Sequence, residues 1–461
     1  MRYLPLSEET KKQILKQCGV SSFEELTAQV PDSLRLDRLL DIDPALSEPE
    51  LLAHLKCIGS KNRAAAMTSY LGQGTYDHTW PVVIDYLSGR GEFLTAYTPY
   101  QPEVSQGTLQ SIFEYQSMVA SLTGFEVSNG SLYDGATAVV EAILMAARLQ
   151  RKDKGKVLVA GGLFTETKKV LRTYLDPLGF ELVPWTIDPE TLQCTSKIET
   201  LDIKAGEVVA VLLQSPNRWG LVESWRVLKD VSEKLGAVSI AALGHVHSLG
   251  LFEAPGAFGI DIAVGDGQPL GIPVGFGGPH LGLFCCHKRD VRQMPGRLIG
   301  ATKDTSGKRA FCVTLATREQ HIRREKATSN ICSNQSLMAL RAAMYMTLMG
   351  PEGLKEVATL SHSKAVYLRS RLTELIRGRN DLFISDGEIF NEFTIFVPQT
   401  NALWIDVVLK AAEDEGIILG HPVDVPVSTG FVKGLSIAVT EKHSREDLDR
   451  VVDVVSQTLL K

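Results

Sequence analysis

The 461-residue chain is 44% hydrophobic and 22% charged, an ordinary balance that excludes disordered and collagen-like classes. Its 48 Lys and Arg against 54 Asp and Glu leave a formal net charge of -6, which argues against a nucleic-acid footprint. No apolar run approaches the roughly 18 residues that a membrane span needs. Residues 1–5 open no export signal, so the expectation is a cytoplasmic protein of two or three domain-sized units. The cysteines at 18, 57, 194, 285, 286, 312 and 332 form no C-x-x-C pair and read as reduced, mostly buried thiols.

Residues 1–65 are predicted to form a helical arm. Ser7 caps a helix, Ser22 with Glu25 and Ser47 with Glu50 make capping boxes, and Gly59 is a natural stop. A Gly- and aromatic-rich stretch over 70–107 has no clean period and reads as a long functional loop, or as an arm across a neighbouring subunit. From Leu109 a helical period runs to Gly124, and an alanine-rich helix covers 134–151. Short buried strands over 156–160, 182–185, 208–213, 238–242, 262–264 and 282–286 then alternate with helices over 165–175 and 224–235. That order implies a mostly parallel sheet covered by helices. Past Asn334 the texture changes to helices over 336–349 and 354–376. Strands over 392–397 and 434–439 flank a helix over 402–415, and Ser444 with Asp447 starts a terminal helix.

No P-loop and no G-x-S-x-G elbow occurs. Ser131 to Thr137 opens a helix, where free N–H groups and the dipole favour an anion, although Asp134 also reads as a plain N-cap. His245 and His247 share one side of an extended backbone, but two histidines without a nearby third ligand predict no metal. Arg318, Arg323, Arg324 and Lys326, interleaved with Glu319 and Glu325, read as a solvated face or as a cluster for a phosphate or carboxylate.

The run from Phe93 to Gly107, FLTAYTPYQPEVSQG, closely resembles the signature of glycine decarboxylase, the P-protein of the glycine cleavage system. Further stretches match the same family: Leu71-Gly72-Gln73-Gly74 with Tyr76 and His78; Gly265-Asp266-Gly267-Gln268-Pro269-Leu270-Gly271; Gly275-Phe276-Gly277-Gly278-Pro279; and Arg323 through Cys332. The resemblance implies an α/β fold, the aspartate-aminotransferase type (fold type I) of pyridoxal-phosphate-dependent transferase. It implies a large domain over 66–330 on a mainly parallel seven-stranded sheet, a small C-terminal α/β domain over 331–461, and active sites at a subunit interface.

The family has a cofactor-bearing half and a half that resembles a relative without the cofactor, fused in one chain or separate. Pyridoxal chemistry requires a lysine to hold the cofactor as an imine. In the catalytic half that lysine precedes an Ile-Pro and a glycine-rich loop. Here Ile272-Pro273 precede Gly275 to Gly278, the lysine position is Gln268, and no lysine occurs between Lys234 and Lys288. His245 falls near the place of the Asp that keeps the pyridine nitrogen protonated. The resemblance therefore implies the first subunit of a two-subunit enzyme, with no covalently bound cofactor and no catalytic residue on this chain alone.

Its partners would be subunit 2 carrying pyridoxal phosphate, in a two-plus-two heterotetramer, together with glycine and the lipoylated H-protein. The complex would release carbon dioxide from glycine and leave an aminomethyl group on the lipoyl sulfur. Tyr97, Thr98, Tyr100, Gln101, Glu103 and Ser105 are the expected contributions to the partner's site; Arg323, Arg324 and Thr328 are expected to bind an anion or contact a subunit. Two rivals stand beside this: an independent pyridoxal enzyme with its imine on another lysine such as Lys303, and a scaffold that only docks the lipoyl carrier.

Overall fold

The computed structural model describes residues 6–36, 38–199, 201–318, 320–331, 333–398, 401–425 and 433–459; the N-terminal pentapeptide, Glu319 and Cys332 named above lie outside them. The chain divides into two compact units, Met1–Ala65 and Ala66–Lys461. In the first, helix Glu8–Gln17 starts at Ser7, whose side chain accepts from the Thr10 N–H. The Ser47–Glu50 box forms as expected ahead of helix Glu48–Gly59. The Ser22 box differs: Ser22 caps Phe23–Leu26, but Glu25 returns its carboxylate to the N–H of Ser21.

The second unit is built on a seven-stranded sheet in the order Val127–Ser128, Gly282–Cys286, Ile262–Asp266, Val238–Leu243, Val208–Ser215, Lys156–Ala160, Glu181–Trp185. All pairings are parallel except the two made by Gly282–Cys286. Strand Val208–Ser215 is buried along its whole length. Val208, Val211 and Leu213 pack into the core on one face, and Val209, Ala210 and Leu212 into the core on the other. Burial on both faces is why this strand reads as an unbroken apolar run. Helix Gly135–Leu149 covers one face, with Ala138, Val139, Ala142, Ile143 and Ala146 all buried. Helix Gln106–Thr123 ends at Gly124 in the left-handed conformation, φ 75°, as the glycine stop requires.

Ser336–Leu375 is one helical run broken at Gly350, φ 60°, next to Pro351, which matches the two predicted helices. It leads to a four-stranded antiparallel sheet in the order Phe383–Ile384, Glu392–Val397, Lys433–Ala438, His421–Asp424, with helices Trp404–Asp414 and Arg445–Leu459. The 70–107 region is less loop-like than expected: it contains helices Val82–Ser88 and Gly91–Leu94. A hairpin, Leu298–Lys303 with Arg309–Thr314, was not anticipated; its turn is held by Asp304, which accepts from the N–H groups of Ser306 and Lys308. The thiols are less buried than expected: Cys194, Cys285 and Cys286 are buried, whereas Cys18 and Cys57 are exposed. Among the described residues no helix is long and apolar enough to cross a membrane.

Candidate functional site

The carboxyl ends of the central strands surround a cavity of about 400 Å³, lined by Tyr133, Asp134, Phe164, Gln214, Asp266 and His280 among others and, among the described residues, by no lysine. This is where parallel α/β sheets place ligands. At its floor lies the start of helix Gly135–Leu149, the expected anion position. Its first amide is already taken: Gly135 N–H donates to the Asp266 carboxylate at 2.9 Å. The same carboxylate oxygen lies 3.0 Å from His280 Nδ1, and its other oxygen accepts from Gln268 N–H at 2.9 Å. The hydrogen bond that His280 donates to Asp266 raises the pKa of His280. Asp134 caps the helix through the Thr137 N–H at 2.7 Å, as the plain N-cap reading of this segment expects. The helix terminus is occupied by the chain's own anions.

Gln268 follows strand Ile262–Asp266 and is buried. Its amide makes three hydrogen bonds: Oε1 accepts from Tyr76 N–H at 3.0 Å, and Nε2 donates to the carbonyls of Tyr76 at 3.1 Å and Ile272 at 2.7 Å. Tyr76 is buried, its ring centroid 4.1 Å from that of His245, and its hydroxyl donates to Glu392 at 2.8 Å. Glu392 also accepts from Gln73 Nε2 at 2.9 Å and Ser436 Oγ at 2.5 Å. Gly72 leaves room for this carboxylate, because a Cβ there would sit 2.5 Å from Glu392 Oε1. Residues 72–76 are thus tied both to the central sheet and to the C-terminal one.

His245 follows strand Val238–Leu243 and meets two other imidazoles. His78 Nε2 lies 3.0 Å from His245 Nε2, and His78 Nδ1 lies 2.6 Å from Glu441 Oε2. His247 packs against His78 at 4.6 Å between centroids and stacks on Tyr345 at 5.8 Å. Burial, reinforced by the neighbouring His78, pushes His245 and His247 well below the usual histidine range and keeps both neutral. Sequence spacing found two of these three histidines; the third sits 167 residues before His245. Tyr76 and His78 stood in a recognised motif, but nothing local pointed to Glu392 or Glu441.

The residues expected to reach a partner lie away from this cavity. Tyr97 is 73% exposed and Tyr100 59%; Gln101 and Glu103 are exposed as well. Thr98 is half-buried, and Ser105 stands at the N-cap of helix Gln106–Thr123. Arg323 and Thr328 come together with Arg148, Arg292, Arg318 and Lys326 around a separate cavity of about 340 Å³, which Arg324 does not line. Lys303 is exposed at the end of a hairpin strand and lines neither cavity.

Among solved structures, the chain is similar to Lactobacillus brevis glutamate decarboxylase at 12% identity, TM-score 0.68, covering 95% of this chain and 97% of that one. The fold is the α/β, fold type I architecture of the pyridoxal-phosphate-dependent transferases. The chain belongs to the glycine cleavage system P-protein family, whose model matches residues 1–455. It is 43% identical over 458 residues, 99% of each chain, to a protein of Chlorobium chlorochromatii named probable glycine dehydrogenase (decarboxylating) subunit 1. It is also similar to a crystal structure of glycine decarboxylase (P-protein) in inhibitor-bound form, at 40% identity and TM-score 0.86, covering 99% of this chain and 100% of that one.

Proposed function

We propose that the chain acts as the first subunit of a cytoplasmic two-subunit glycine decarboxylase. With a second subunit it releases carbon dioxide from glycine and passes the aminomethyl group to the lipoyl arm of an H-protein. The relatives' names support the reaction, and a subunit name implies a partner. Gln268 carries the assignment of roles within the complex. Its amide cannot form an imine, and its three hydrogen bonds hold it in place. The neighbouring cavity, which Gln268 does not line, fits pyridoxal phosphate no better: Asp266 takes the Gly135 amide where a phosphate would bind, and Asp134 adds a second negative charge. We therefore place the cofactor on subunit 2 and derive no step through it here.

This chain's contribution is then to complete the partner's site across a two-plus-two heterotetramer. Tyr97, Tyr100 and Val104 are exposed on one segment, and Phe276 is fully exposed in the glycine loop; apolar side chains left open in this way are what a partner covers. Tyr97, Thr98, Tyr100, Gln101, Glu103 and Ser105 are assigned to that wall. The basic cavity of Arg323 and Thr328 is assigned to an anion or subunit contact, with Arg324 beside it.

The test is reconstitution. Purified subunit 2, alone and mixed with this chain, is assayed for exchange of glycine carboxyl with labelled bicarbonate. Exchange is expected only in the mixture; full exchange by subunit 2 alone overturns the shared-site reading.

A further inference from the structure

We propose that His78, His245 and His247 form a binding site for one divalent transition-metal ion, with zinc the ion that the donor set suits best. The sequence spacing led to the opposite expectation, because it showed only two of the ligands. One ring nitrogen from each histidine falls within 4.8 Å of the others, and all three residues are buried. Three imidazoles with a fourth position left for water is a recurrent zinc arrangement, and imidazole favours zinc over magnesium or calcium.

Two further observations point to an ion and not only to packed rings. His247 is 3% exposed, yet among the described residues neither of its ring nitrogens has a hydrogen-bond partner. A buried polar atom left unmatched forfeits its solvation with nothing in return, and a metal would satisfy one of these. His78 offers Nε2 to the cluster while its Nδ1 faces Glu441 at 2.6 Å. Glu441 is itself fixed, accepting from the Thr79 N–H at 2.7 Å. A carboxylate on the far nitrogen of a ligating imidazole is the usual orienting shell of such sites.

The metal-free cluster has one consistent proton arrangement. His78 holds its proton on Nδ1 toward Glu441. His245 accepts from the His247 N–H at 3.2 Å through Nδ1, so its proton sits on Nε2 and bridges to His78. Metal uptake moves the His245 proton to Nδ1 and gives up that long contact. The ion would join the segment around His78 to the end of strand Val238–Leu243, clamping residues 72–78 over the sheet.

The experiment strips the full-length chain with a chelator, then titrates it with zinc, and in parallel with cobalt as a spectroscopic probe. One ion per chain is expected, with the intense visible bands of low-coordinate cobalt and a raised melting temperature. His247→Phe keeps the ring stacked on Tyr345 while removing both nitrogens, so it should fold and bind at least about 100-fold more weakly. Glu441→Gln should weaken binding about 10–100-fold. His421→Ala, at an exposed strand position, should leave binding unchanged. No ion retained after dialysis, or cobalt bands that persist unchanged in a folded His247→Phe, would overturn the proposal and leave the cluster as a hydrogen-bonded histidine relay.

Discussion

Tyr76 and Gln268 exchange a reciprocal pair of hydrogen bonds: the Tyr76 N–H donates to the side-chain amide oxygen at 3.0 Å, and the amide nitrogen returns a bond to the Tyr76 carbonyl at 3.1 Å. A primary amide donates from its nitrogen and accepts at its oxygen; an ammonium has no acceptor. Gln268→Lys would leave the Tyr76 N–H unmatched and bury a charge. It is therefore expected to lower the melting temperature by several degrees and to produce no visible-edge absorbance with added pyridoxal phosphate. A stable imine band in that variant would show that the position alone had kept the cofactor out.

The Tyr76 hydroxyl is one of several donors to Glu392. Hydrogen bonds to charged groups contribute about 1.5–3 kcal/mol each, so Tyr76→Phe should cost about 2 kcal/mol. Urea unfolding followed by tryptophan fluorescence reads this directly, and an unchanged midpoint would mean that the remaining donors compensate.

Burial raises the Glu223 carboxyl from 4.5 to about 7, against hydrogen bonds from Asn217 and the Cys194 N–H. The folded state then holds this proton more tightly than the unfolded state does. The associated stability is complete below pH 4.5 and is lost as pH rises through 7, by up to about 3 kcal/mol. The stability of the native chain relative to Glu223→Gln should therefore fall across that window; parallel curves would contradict the assignment.

Tyr97→Ala and Tyr100→Phe alter exposed groups and should leave the melting temperature of the isolated chain within about a degree. In the reconstituted complex each should lower kcat about tenfold or more with assembly intact by gel filtration. Loss of assembly with residual turnover unchanged per complex would place these residues in docking alone.

Much of the scaffold was legible because its strands are buried on both faces. Val208–Ser215 and Gly282–Cys286 present only apolar or small residues over most of their length, and helices such as Thr165–Leu175 lie between turn signals. The hairpin Leu298–Lys303 escaped notice because its strand runs from buried Leu298 to exposed Lys303 and loses its apolar pattern on the way. At the site, Gln268 could be read from a motif. Its partner Tyr76 lies 192 residues away, and the pairs Tyr76–Glu392 and His78–Glu441 span 316 and 363 residues. Contacts of that separation leave no local period, only the fold that closes them.

Those long separations also set an order of events during synthesis. A ribosome adding about 5–20 residues per second needs roughly 15–60 s to travel from Tyr76 to Glu392. The strands from Lys156–Ala160 to Gly282–Cys286 emerge within that interval, before the carboxylate that receives the Tyr76 hydroxyl exists. Closure of residues 72–76 onto the C-terminal sheet is therefore a late step in the birth of this chain, and a nascent fragment ending before Glu392 should leave this segment open to protease.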